Sequence, residues 1–199
     1  MSMKSKLRTG DMIAFKNGKD FVATVVHVFT KSDVHHVGVI VQLYNKIGTD
    51  FPFVIEANPD DVEYNFLPQK IKTRNDEIFI YRLTDENNKK LNKNLDAFYE
   101  FMNEQIGKGY DYPQAIETVV DKIFDKTITK DSYSSFFCSK LVGAIYLQAG
   151  IITPEMLKKQ EFKCVSELTP ADCCKLPIFK DSFKLSKPEP QQINKCVRM

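Results

Sequence analysis

His35-His36-Val37-Gly38-Val39-Ile40-Val41 and, far downstream, Phe137-Cys138-Ser139-Lys140-Leu141-Val142 are the stretches whose reading decides the fold. The first continues as an apolar, β-branched run to Tyr44 and reads as a buried strand with a histidine at its mouth. The second reads as a helix with a cysteine at its start. A thiol at a helix N-terminus faces unpaired N–H groups and the positive end of the helix dipole, a setting that favours the thiolate. A histidine beside it completes a cysteine–histidine pair fit for acyl chemistry. The functional expectations rest on these two segments meeting in the fold.

Working outward from the first stretch, Gly10-Asp11-Met12-Ile13-Ala14-Phe15 reads as a turn leading into a short strand, and Phe21 to Phe29 as another strand of less clean pattern. Ser32 and Asp33 break that run. After His36 to Tyr44, Asn45 to Asp50 is a turn and Phe51 to Ala57 the next strand, closed by Asn58-Pro59-Asp60-Asp61. Val62 to Phe66 pairs as a short strand, and Glu77 to Leu83 alternates as the last clear one. The period then changes. Leu91, Leu95, Phe98, Met102 and Ile106 recur as on one helix face, ended by Gly107 and Gly109. Pro113 opens a helix to about Asp125, and Ser134 or Ser135 caps the helix carrying Cys138, which Gly150 ends. Thr153-Pro154-Glu155 caps a short fourth helix. Strands first and helices after argue for an α+β domain over residues 1–183. A Pro- and Lys-bearing tail, flexible or laid on the surface, follows at 184–199.

Bulk composition narrows the function classes. The chain has 199 residues, 43% hydrophobic and 27% charged, with 28 basic against 26 acidic residues. A net charge of +2 is too balanced to point to nucleic acid. Fifteen Phe and eight Tyr with no Trp suit an aromatic core. No stretch approaches the length of a membrane span, and Met1 to Gly10 lacks the apolar region of a secretory leader. Five cysteines (Cys138, Cys164, Cys173, Cys174 and Cys196) without regular spacing read as free thiols in a reducing, cytoplasmic compartment. Zinc-ligand spacing is absent, so neither metal nor cofactor is expected.

Cys138 is the sharpest chemical candidate, with a small, inert core residue as its alternative. A phosphatase loop needs an Arg where Ala144 stands, and a redox pair needs a Cys where Leu141 stands. Acyl transfer or hydrolysis is the cysteine chemistry left. His36 is the candidate base; His35 alternates to the other face, and His27 is weaker. Gly38 lets a backbone or a ligand approach the strand closely. Glu56, ending the next strand, can hold the imidazole in its productive tautomer, with Asp60, Asp61 and Glu63 as fallbacks. Tyr110 either packs beside a capping turn or lines the substrate pocket.

Together these segments resemble the circularly permuted branch of the NlpC/P60 papain-like superfamily, most closely its YiiX-like members. His36-Val37-Gly38-Val39-Ile40-Val41 matches the family's H-x-G strand. Cys138-Ser139-Lys140-Leu141-Val142, followed by Tyr146 and Ala149-Gly150-Ile151, matches its cysteine helix. Gly10-Asp11-Met12-Ile13 looks like the opening strand, Val54-Ile55-Glu56-Ala57 like the acidic strand and Gly109-Tyr110-Asp111 like the G-x-Y-D turn. The likeness covers roughly residues 9–180. It implies a papain-like α+β fold with an antiparallel sheet or small barrel packed against helices. It also implies a cysteine hydrolase or acyltransferase with Cys138 as nucleophile, His36 as base and Glu56 as third member. Lys140 stands where many relatives carry Glu, at a position expected to be peripheral.

Three readings follow. The first is an enzyme that opens an amide or ester through a thioester, acting on a peptide, isopeptide or lipid-linked acyl substrate. The second is a lipid acyltransferase or phospholipase of the lecithin:retinol acyltransferase type, touching membrane surfaces without inserting stably. The third is a catalytically silent ligand-binding module.

Overall fold

Strands with apolar residues on both faces need cover on both sides, and the sheet of this protein has it. A computed structural model of the chain describes residues 7–18, 31–44, 50–109 and 137–185. The strands are β1 (Met12–Lys16), β2 (Val34–Tyr44), β3 (Asp50–Ala57), β4 (Val62–Phe66), β5 (Glu77–Leu83) and β6 (Phe179–Lys184). They form one antiparallel sheet in the order β4-β3-β2-β1-β5-β6. The end strands β4 and β6 do not pair with each other, so the sheet is open and the small-barrel alternative is set aside.

The two cores divide the residues of each central strand. Val37, Val39 and Val41 of β2 join Met12, Ala14 and Ile55 in the larger one. Ile40 joins Ile13, Phe15, Val54 and Ile80 in the smaller. Burial on both faces is why β2 reads as a continuous apolar run rather than an alternating one.

The helices supply the cover. On the smaller core lies α1 (Leu67–Thr73), which buries Leu67 and Ile71 and carries a proline in its first turn. This helix was not expected; seven residues between two strands hold too few apolar positions to show a period. The single helix expected from Leu91 to Ile106 is two, α2 (Asp85–Lys93) and α3 (Leu95–Gln105). Asn94 leaves helical geometry between them at φ −117° and ψ 25°, and its amide donates to the Ala149 carbonyl at 3.4 Å. Thr84 caps α2 by accepting from the Asn87 N–H.

On the larger core lies α4 (Cys138–Gln148), followed by α5 (Pro154–Lys159), a 3-10 turn (Val165–Glu167) and α6 (Pro170–Cys173). The cysteine helix starts at Cys138 with Phe137 as its cap residue, and no side chain caps it. Its first backbone bond runs from the Leu141 N–H to the Phe137 carbonyl. The start is therefore later than a cap at Ser134 or Ser135, two residues that lie outside the described ones. Beyond them also lie the strand expected at 21–29, the helix at 113–125, His27, Tyr110, Cys196 and most of the expected tail.

Three contacts fix α4. The Tyr146 hydroxyl donates to the Gly10 carbonyl at 2.8 Å, and Ser139 Oγ to the Leu168 carbonyl at 2.6 Å. At Gly143 a Cβ would stand 2.9 Å from Val165 Cβ, so only glycine lets the 3-10 turn lie this close. Gly10 has φ +87°, the left-handed region open to glycine, and turns the chain into β1. Lys140, expected at the periphery, is fully buried. The strand β6 was also unforeseen: it is mostly exposed, as an edge can be, and its residues Lys180, Asp181 and Ser182 look like a loop. Just past the end of β6 the Leu185 N–H donates to the Ile78 carbonyl. Among the described residues no helix is long and apolar enough to cross a membrane.

Candidate active site

The site begins with an irregularity in β2. Phe15 of β1 pairs with His36 and Lys16 with Val34, so His35 is an extra residue opposite nothing. Such a bulge re-aims the side chains beside it. His36 lies with its ring centroid 5.4 Å from that of Phe15. His35 goes elsewhere: it is buried, with Nε2 3.8 Å from Asp76 Oδ2.

Glu56 comes from β3. Val39 pairs with Ile55, which places Glu56 beside Gly38. A Cβ on Gly38 would stand 2.6 Å from Val54 Cγ2, 2.9 Å from the Ile55 carbonyl oxygen and 3.3 Å from Glu56 Cβ. The missing side chain thus lets β3 close in and leaves the Glu56 carboxylate free to cross toward His36. The close approach that this glycine permits is made by a neighbouring strand.

Each carboxylate oxygen of Glu56 has its own partners. Oε2 receives His36 Nε2 at 2.6 Å. Oε1 receives Asn65 Nδ2 at 2.8 Å and the Lys70 ammonium. Glu56 has no solvent exposure. An unpaired buried carboxylate would be neutral, since burial is the largest influence here and raises the pKa. The His36 and Lys70 partners outweigh burial and bring Glu56 from the ordinary 4.5 down to about 2.

Cys138 lies near enough to His36 to act on the ring alongside Glu56. Nε2 is committed to the carboxylate. Burial, again the largest single influence, disfavours the charged ring. The charge and hydrogen bond of Cys138, then those of Glu56, outweigh it and raise the imidazole from 6.5 to about 9. Cys138 is buried at the first turn of α4, ahead of that helix's first backbone bond. Its N–H therefore has no acceptor within the helix.

The fold brings Cys138, His36 and Glu56 together. It does not bring the fallback carboxylates to the ring. Glu63 instead accepts from Asn58 Nδ2 at 2.5 Å and Asn65 Nδ2 at 2.9 Å, Asp61 bridges to Gly109 through its backbone, and Asp60 is exposed. Asn65 and Lys70 were missed from sequence. Asn65 was within reach, because pairing of Glu56 with Glu63 places Asn65 diagonally across from Glu56. Lys70 lies on the unexpected α1 and gave no local signal. Among the described residues no group of three or more His, Cys, Asp or Glu side chains is placed to hold a metal ion.

A family model described as permuted papain-like amidase enzyme, YaeF/YiiX, C92 family, matches residues 6–169. The crystal structure of the metalloprotein yiiX from Escherichia coli O157:H7 superposes with a TM-score of 0.55 at 22% identity, covering 92% of this chain and 98% of that one. At that identity the likeness shows the fold. No curated protein matches the chain.

Proposed function

The chain belongs to the permuted papain-like amidase family, YaeF/YiiX, C92, and from that premise we propose that this cysteine hydrolase opens a peptide-like amide through a thioester on Cys138. The observation that carries the reading is that His36, bonded through Nε2 to the buried Glu56 carboxylate, also lies under the influence of Cys138.

The thiolate attacks the amide carbonyl carbon. The carbonyl oxygen takes up negative charge at the positive N-terminal end of α4, which stabilises it. The C–N bond breaks as the His36 imidazolium gives its Nδ1 proton to the departing amine, leaving the acyl group on sulfur. His36, now neutral, removes a proton from water. The resulting hydroxide equivalent attacks the thioester, and the C–S bond breaks to return the thiolate and release a carboxylic acid. Throughout, Glu56 keeps the Nε2 proton in place and offsets the ring's positive charge. Water as acceptor makes this a hydrolase; an amine acceptor would make the same intermediate an acyl donor. Among the described residues Cys138, Cys164, Cys173 and Cys174 form no disulfide, which suits a reducing compartment.

Iodoacetamide tests the pair without a known substrate. Alkylation should fall on Cys138 and stay fast into mildly acid solution, and His36→Ala should move that acid limb to higher pH. Alkylation of Cys138 at the same rate and pH profile in both proteins would refute the reading.

A further inference from the structure

Resting on the Cys138–His36–Glu56 reading, we propose that Lys70 is a positioning residue of this site, clamping the outer oxygen of Glu56 so that the inner oxygen stays aimed at His36. The two oxygens of one buried carboxylate are divided between two cations from different elements. His36 of β2 holds Oε2 and Lys70 of α1 holds Oε1, with Asn65 of β4 as a neutral third partner. A carboxylate held at one oxygen can swing about its last torsion. Held at both, it has one orientation, and that orientation fixes the imidazole.

Lys70 is itself built in. Its ammonium lies 5.7 Å from the centroid of the Phe15 ring, the same ring that His36 packs on. Its side chain is 11% exposed, at the wall of an open groove of about 290 Å³ lined also by Asn58, Glu63, Asn65, Phe66 and Arg74. The charged groups facing it are Glu56 and Glu63, which favour its positive charge, and Arg74, which opposes it. Burial is the largest influence on it and lowers its pKa; Glu56 pulls the other way. The result is a row (Cys138, His36, Glu56, Lys70) running outward to the groove, with His36 and Lys70 on opposite oxygens of Glu56. The first three members are the expected relay. The fourth lets a carboxylate without solvent keep its charge when one cation alone faces it on the catalytic side.

The test measures the rate of iodoacetamide alkylation of Cys138 against pH in the full chain. Lys70→Met should slow it at neutral pH by up to about 100-fold and move the acid limb of the profile to higher pH. Lys70→Arg, which keeps charge and reach, should restore both. In a Glu56→Gln background, Lys70→Met should cause no further loss, because the carboxylate it serves is gone. If Lys70→Met fails to fold, Lys70→Gln, which keeps a donor but no charge, is read in its place with the same expectation. A wild-type profile in Lys70→Met or Lys70→Gln, alongside the loss caused by His36→Ala, would overturn the role of Lys70 and leave the relay standing. A wild-type profile in His36→Ala would overturn the relay itself. An equal loss from Lys70→Met with or without the Glu56 carboxylate would overturn the clamp.

Discussion

Glu56 joins the most partners at this site, with His36 on one oxygen and Asn65 and Lys70 on the other. Replacing it with Gln keeps the shape and removes the charge that both cations face. Amide hydrolysis should fall by about 10²- to 10⁴-fold in Glu56→Gln, measured as kcat/KM once a substrate is found, or as the rate of Cys138 alkylation before then. Glu56→Ala leaves two partly buried cations, His36 and Lys70, without their shared anion and should cost about 1–3 kcal/mol of stability, read by urea unfolding. Cys138, His36 and Glu56 were legible as candidates because each lies at or near the end of an element, and element ends gather on the rims of a sheet. Lys70 was not legible, since a lysine inside a seven-residue helix looks like any solvated charge.

Elements explain why those ends meet. The bulge at His35 turns His36, Gly38 admits β3, and Tyr146 and Ser139 pin the cysteine helix to β1 and to the turn before α6. Gly38→Ala would push a methyl against the Ile55 carbonyl, a backbone atom that cannot step aside alone. It should destabilise the protein by about 1–3 kcal/mol and separate β2 from β3, lowering Cys138 reactivity as well as the unfolding midpoint. Tyr146→Phe leaves the Gly10 carbonyl without its donor and should cost about 1–3 kcal/mol in the same unfolding assay. Strands β1 to β5 were readable because buried apolar runs and the Asn58-Pro59-Asp60-Asp61 turn mark them. The break at Asn94 was hidden because the apolar period of α2 and α3 continues in phase across it. β6 was hidden because an edge strand needs few apolar residues, and its pairing with β5 supplies what its side chains do not.

For the whole molecule, the pH dependence of stability follows from the buried pair. Glu56 goes from 4.5 to about 2 on folding, so its contribution is present above 4.5 and is lost as pH falls through 2. His36 goes from 6.5 to about 9, so its contribution is full below 6.5 and is lost as pH rises through 9. Thermal unfolding should therefore give a Tm plateau between 4.5 and 6.5, with Glu56 governing the acid side and His36 the alkaline side. Glu56→Gln should flatten the acid flank. The central claim is that folding makes neighbours of a strand histidine and a helix cysteine that are distant in sequence, and the ring's own titration tests it most directly. Followed by NMR on the ¹⁵N-labelled imidazole, His36 should titrate near 9 in the wild-type chain and well below that in Cys138→Ala. A midpoint near 6.5 that Cys138→Ala does not move would contradict it.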